Sequence, residues 1–349
     1  MKASALDRLY GKVNELQGMR RGFRRPRCSC IFKRAALITP NMVKVVNYTR
    51  NPVAVFNPGA HLEGGEALIF PRLIFDYLNY TSSIGAFKVN ADDLVEGRVN
   101  SVEARILIWP RELWEFRGCE DPRIFKRGGE YLVLYTGWGY YLDGGGLKPR
   151  AVQALARLNT DLSIASRGFF KIRTAEGSLI IPDWWKDSAI MEVNGNEALM
   201  LTRPTVNNVD VGWFGVADLE NLEFPEDGLK PILWFEDFEF KVGWSTNAIK
   251  LSSNEYLVGW HGVAKEDYSY RDGLALVDDS GELLAISDYL LEPRGIEEEY
   301  GDRPRVIFGG GLILYKGSLI WIGGVSDYAI GIYVTELDKA LGALRWLKG

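Results

Sequence analysis

The chain has 349 residues, 47% hydrophobic and 25% charged, with a net charge of −5. That suits a globular protein of one large all-β domain or two ordinary ones, and argues against a whole-domain nucleic-acid footprint. Two histidines (His61, His261), three badly spaced cysteines (Cys28, Cys30, Cys119) and no apolar run of membrane-spanning length leave no basis for a multi-histidine metal centre, a zinc site, a disulfide framework or a membrane anchor.

Residues 1–34 stand apart. They hold ten basic residues against Asp7 and Glu15, so the remainder of the chain is strongly acidic. Leu6, Leu9, Val13 and Leu16 recur at helical spacing. The expectation is a basic arm with a short amphipathic helix. It would pack on the acidic body or on a neighbouring subunit of a homo-oligomer, or line the entrance for an anionic substrate. No apolar run follows the early basic residues as in a signal peptide, so the expected location is the cytoplasm.

From residue 35 onward one pattern recurs. Asn57-Pro58-Gly59, Asp121-Pro122-Arg123, Lys186-Asp187-Ser188, Thr246-Asn247-Ala248 and Arg305-Val306-Ile307 each precede a Gly- or Asn-rich turn and an apolar strand. Those second strands begin at 66, 130, 197, 255 and 318. Five copies of strand, turn, strand at a steady period predict a single all-β domain over 35–349, a five-bladed β-propeller. Glu336–Leu347 reads as a short helix or as the strand that closes the ring.

The repeats also locate the chemistry. In Glu120-Asp121-Pro122-Arg123 the proline fixes φ and disfavours a helical Asp121. A carboxyl on so stiff a corner is a candidate proton donor, and Arg123 has the fork to clamp an oxyanion or carboxylate. Asn57 and Arg72 occupy the matching places in the first repeat. Trp138-Gly139-Tyr140-Tyr141, beside Gly144-Gly145-Gly146, suits either a sugar platform or plain loop packing. Lys186 and Arg203 lie at opposite ends of one predicted hairpin, where they can meet as a two-cation oxyanion site. His261, at a strand end before Gly262, is either a structural histidine or an acid–base or binding group.

Taken in order, Val55-Phe56-Asn57-Pro58-Gly59, Glu120-Asp121-Pro122-Arg123-Ile124, Lys186-Asp187, Arg203-Pro204, His261-Gly262-Val263 and Ser326-Asp327 resemble glycoside hydrolase family 130, the inverting β-mannoside phosphorylases and related β-mannosidases. The resemblance implies a five-bladed propeller with its site at the central channel. It implies that Asp121 is the general acid, passing its proton through a mannose hydroxyl to the glycosidic oxygen while inorganic phosphate attacks the anomeric carbon, giving α-mannose 1-phosphate. Lys186, Arg203 and Arg150 would bind phosphate. Asn57, Arg72, Arg123, Asp187, His261 and Asp327 would line the sugar site. The partners expected are a small oligosaccharide and phosphate as co-substrate, with no cofactor, metal, nucleic acid or membrane. Thr202 stands where the phosphorylase pattern commonly has histidine, and Glu192 offers a carboxylate for a hydrolytic alternative that activates water.

Overall fold

A computed structural model describes residues 4–19 and 22–347. Lys2, Arg20 and Arg21 of the basic arm lie outside the described residues.

The chain is all-β apart from one long helix and short helical turns. Among the described residues the strands form four hydrogen-bonded sheets of four, nine, seven and five strands. The nine-stranded sheet holds two consecutive antiparallel stacks, joined by a single parallel pairing of Ser82 with Gly118. Five antiparallel units therefore follow one another, opening with Ala54–Glu63, Gly118–Arg127, Trp185–Asn194, Glu239–Lys250 and Ile307–Tyr315. The second strands of these units start at Glu66, Glu130, Glu197, Glu255 and Ser318, the five positions that the repeat marked. The opening strands touch one another in cyclic order, the last against the first. Two glycines permit that approach: a Cβ on Gly59 would fall 2.6 Å from Pro122 O, and one on Gly310 2.4 Å from Pro58 O.

Apolar side chains between neighbouring units make the core. Trp185, Trp213, Trp244, Trp260 and Trp321 are all fully buried, each a large contribution to packed area. The last unit is completed from the other end of the chain, because Lys33–Ile38 pairs antiparallel with Ala329–Glu336. The C-terminal segment is a short helix, Leu337–Gly342, and then Arg345–Trp346, which pairs with Leu283–Ile286. The closing strand thus comes from the N-terminal side and not from the tail.

The predicted helix is Ala5–Met19. Ser4 and Asp7 cap it reciprocally, Asp7 N donating to Ser4 Oγ at 3.2 Å and Ser4 N to Asp7 Oδ2 at 3.0 Å. Leu9, Val13 and Leu16 bury against Trp213, Leu229 and their neighbours, whereas Leu6 stays exposed. Burial of each such side chain contributes about 1.5–3 kcal/mol. The cations of the arm meet acids of their own chain. Arg8 pairs with Glu226 and Glu176, Arg27 with Asp288, and Arg34 with Glu298. Arg24 is buried, donating to Glu239 Oε2 at 2.6 Å and lying 4.2 Å from the ring centroid of Trp260.

Cys28 and Cys30 form a disulfide, a single local bridge and not a framework. Spacing rules look for frameworks of several cysteines and pass over a pair that closes so small a loop. No helix among the described residues is long and apolar enough to cross a membrane.

Candidate active site

The opening strand of every unit is irregular at its inner end. The register shifts between Phe56 and Gly59, Glu120 and Arg123, Lys186 and Ala189, Trp244 and Ala248, and Gly309 and Gly311. Bulges re-aim side chains and are frequent beside functional sites. In the first three units the bulge holds Asn57, Asp121 and Asp187 in left-handed backbone, with φ of 44°, 50° and 56°. Asn and Asp tolerate that region better than other side-chain-bearing residues. All three line one cavity of about 240 Å³.

One wall of the cavity is acidic. Asp121 Oδ1 accepts from Asn57 Nδ2 at 3.0 Å and from Arg72 Nη1 at 3.2 Å, and Arg72 Nη2 donates to Glu120 Oε1 at 2.8 Å. Among the described residues no donor reaches Asp121 Oδ2. Asp327 completes the wall; desolvation pushes its carboxyl up to about 6 against the pull of Arg72 and Arg303. Desolvation also raises Glu120, again opposed by Arg72. Burial and the neighbouring carboxylates thus favour the protonated forms of Glu120 and Asp327.

The opposite wall is built on Asp187. Arg203 Nε and Nη2 both reach its Oδ2 at 2.7 Å, and Arg203 Nη1 pairs with Asp210 at 2.9 Å. Despite the burial, the Arg203 and Arg123 guanidinium charges hold the Asp187 carboxyl well below the usual range. His261 Nε2 lies 3.8 Å from Asp187 Oδ2. Its Nδ1 is 3.0 Å from Ser245 Oγ, which donates to Asp272 Oδ1 at 3.1 Å. Burial pushes His261 down to about 3, so the ring is neutral in the physiological range.

Lys186 also lines the cavity, joined by three residues that the repeats did not mark: Lys241, Tyr270 and Arg303. Arg303 Nη2 donates to Tyr270 Oη at 3.0 Å, and the Lys241 ammonium lies 5.6 Å from the Tyr270 ring centroid. Although burial opposes it, Lys241, Arg303 and Lys186 lower the Tyr270 phenol. Among the described residues no carboxylate oxygen comes within 4.0 Å of the Lys186 or Lys241 ammonium. Together with Arg303, whose printed partner is the Tyr270 hydroxyl, those are the lining cations not committed to an acid among the described residues. Lys241 lies two residues after Glu239 on the fourth opening strand, and an alignment of the five strands by position would have exposed it.

Several expected residues sit elsewhere. Arg123 is buried behind the cavity, donating through Nε to Ser245 O at 2.6 Å and through Nη1 to Asp121 O at 2.5 Å. It braces the bulge and does not line the cavity. Arg150 is not in the lining either; its Nη1 donates to Ile181 O at 2.6 Å and its Nη2 lies 3.3 Å from Asp183. Thr202 points into the third unit, accepting from Trp185 Nε1 at 2.6 Å. Glu192 pairs with Lys250 at 2.7 Å and with the Tyr256 hydroxyl, outside the cavity, so the hydrolytic alternative gains no base from it. Trp138 packs on Trp184, ring centroids 5.0 Å apart, and is not part of the cavity wall.

The family model described as beta-1,4-mannooligosaccharide phosphorylase matches residues 23–345. The chain belongs to glycoside hydrolase family 130. It is therefore an enzyme of the glycoside phosphorylase or glycosidase type. A beta-1,2-mannobiose phosphorylase of Thermoanaerobacter sp. (strain X514) is 27% identical to this family 130 chain over 303 residues, covering 82% of it and 91% of the relative. The Listeria innocua beta-1,2-mannobiose phosphorylase, solved with β-1,2-mannobiose, shares the fold at a TM-score of 0.67 and 20% identity, covering 88% of this chain and 96% of that one. Mannose phosphorylase MPT-4 of Leishmania mexicana, solved with a phosphate ion, shares it at a TM-score of 0.59 and 15% identity, covering 99% and 98%.

Proposed function

We infer that this family 130 enzyme cleaves β-mannosides by inverting phosphorolysis, releasing α-mannose 1-phosphate. The observation that carries the reading is the division of one cavity into a carboxyl wall around Asp121 and a cationic wall where, among the described residues, Lys186 and Lys241 have no acid partner. The five consecutive units and the cyclic contacts of their opening strands support a five-bladed propeller with this cavity at its central channel. The fold, on this reading, is one catalytic domain over 35–349 with the 1–34 arm packed on it.

Asp121 serves as the general acid. Asn57 and Arg72 fix its Oδ1, which leaves Oδ2 to give up the proton. The proton passes through a mannose hydroxyl to the glycosidic oxygen as the carbon–oxygen bond breaks. A phosphate oxygen forms the new bond from the opposite face, and Asp121 regains a proton before the next cycle. Phosphate carries more than one negative charge and must approach a carboxyl-lined cavity. Lys186 and Lys241, with the spare donors of Arg203, offset that repulsion and align the nucleophile. Water needs no such cradle. Ionised Asp187 supplies an acceptor for sugar hydroxyls, with the neutral His261 ring beside it.

Replacing Lys186 tests the assignment. Lys186→Ala is expected to raise the KM for phosphate at least about tenfold, a loss of roughly 1.4 kcal/mol, with the KM for the mannoside little changed. An unchanged phosphate KM would contradict the phosphate site.

A further inference from the structure

Cys28 and Cys30 lie where the basic arm crosses the body. The backbone of Cys28 pairs parallel with Tyr289, and Ser29 N donates to Tyr289 O at 3.0 Å. That pairing runs residues 28–30 alongside 289–292 and brings Glu292 beside the cysteines. Cys30 Sγ lies 3.5 Å from Glu292 Oε1. Both sulfurs and a Glu292 oxygen lie within 4.8 Å of one another, on three half-buried residues. Glu292 also lines a cleft of about 230 Å³, which gives an ion access. The Cys28–Cys30 disulfide closes a loop with a sequence separation of only 2. Cross-linking so short a loop constrains the unfolded chain least, and the bridge fastens nothing in the arm to the body.

Two thiols and a carboxylate in this arrangement have a further use. Cys30 N donates to Cys28 Sγ at 3.1 Å, and a fixed amide donor favours the thiolate once the bond is open. Arg294 Nη2 donates to Glu292 Oε1 at 3.1 Å, and Arg271 Nη1 lies 3.7 Å from Glu292 Oε2. Outer partners of this kind orient a metal-binding carboxylate. Thiolates are soft ligands that select zinc-like ions over magnesium or calcium. A tetrahedral Zn²⁺, about 2.3 Å from sulfur and about 2.1 Å from oxygen, holds those two atoms about 3.6 Å apart. The Cys30–Glu292 separation already matches, and the two sulfurs have only to part to about 3.8 Å. Cysteine spacing alone does not reveal the set, because the third ligand lies 262 residues beyond Cys30.

We propose that Cys28, Cys30 and Glu292 form, when the disulfide is reduced, a binding site for a thiophilic divalent ion of the Zn²⁺ type that fastens the arm to the body. A dithiol reductant supplies two electrons and two protons. The S–S bond breaks into two thiols while the dithiol closes to its own disulfide. The ion then displaces both thiol protons, bonding to the two sulfurs and to one Glu292 oxygen, with water in the fourth place. Because the ligands come from distant parts of the chain, the ion closes a long loop that the disulfide leaves open.

Titration of the intact protein with Cd²⁺ tests it, after reduction by a dithiol and removal of the dithiol without air. Bonds from Cd²⁺ to thiolate give an ultraviolet charge-transfer band. One equivalent is expected to bind the reduced protein and none the oxidised protein. Cys28→Ser and, separately, Cys30→Ser are expected to abolish the band. Glu292→Gln, which keeps the shape, is expected to weaken binding at least about tenfold, the loss that even an outer partner of a metal site causes. Zn²⁺ is expected to raise the melting temperature of the reduced parent but not of reduced Glu292→Gln. The same melts check that each variant is folded; if the serine variants are not, the redox dependence and Glu292→Gln still decide. No uptake by the reduced protein, equal uptake by the oxidised protein, or a band that survives either serine substitution overturns the site. Unchanged affinity in Glu292→Gln, or a melting temperature that Zn²⁺ leaves unmoved, overturns the fastening of the arm.

Discussion

Asn57 donates to Asp121 across two neighbouring units, Nδ2 to Oδ1 at 3.0 Å, and both residues sit on left-handed backbone at the bulges of their strands. The carboxyl is thus held by a fixed amide on one side and by Arg72 on the other, a rigid mounting for a proton donor. Asp121→Asn keeps the shape and removes the proton, so turnover should fall roughly 10²–10⁴-fold with the melting temperature nearly unchanged. Asn57→Ala should cost less activity and more stability, because alanine tolerates that backbone poorly. Equal mannoside cleavage by Asp121→Asn and the parent would remove Asp121 from the mechanism.

Lys241 was not marked by the repeats, yet it lines the cavity beside Tyr270 with no carboxylate oxygen within 4.0 Å among the described residues. Lys241→Gln should weaken phosphate more than mannoside, seen as a rise in phosphate KM of roughly tenfold. The reverse pattern, with mannoside KM rising alone, would place the anion elsewhere in the cavity.

Asp327 makes stability depend on pH. Burial pushes its folded carboxyl up to about 6, above the ordinary 3.8 of an aspartate. The folded state therefore binds the proton more tightly, and this group's contribution to stability falls as pH rises from about 4 to 6. Asp327→Asn should melt higher than the parent above pH 6, with the difference closing below pH 4, while activity drops. Parallel melting curves at all pH values would show that the carboxyl is not desolvated. His261, neutral throughout, should add no step near its ordinary value to the pH profile of kcat/KM.

The basic arm is predicted to matter for folding. Arg24 is buried against Glu239 and Glu236. Arg24→Met would leave those acids without their cation, at a cost of about 3–5 kcal/mol. Denaturant unfolding checks this; a change below 1 kcal/mol would mean that the arm is a loose appendage.

The periodicity was legible because each unit repeats the same local problem, an apolar strand after a tight turn. That is why all five second-strand starts could be read from sequence. The bulge residues Asn57, Asp121 and Asp187 were legible for the same reason. Their environment was not. Arg203 reads as a free cation until Asp210, seven residues on, is seen to pair with it. Arg123 reads as a clamp for substrate until the Ser245 carbonyl, from a different unit, appears beside it. Tyr270 and Arg303 come from a third strand and a loop, with no local pattern to mark them. The closing strand was missed because Lys33–Ile38 joins residues nearly three hundred positions away.

The central claim is that cleavage requires phosphate. Its most direct test is product analysis by phosphorus and proton NMR on β-1,2- and β-1,4-mannobiose, with and without inorganic phosphate. The account predicts α-mannose 1-phosphate from at least one of them, formed only when phosphate is present. Release of two free mannoses per disaccharide at the same rate in phosphate-free buffer would contradict it.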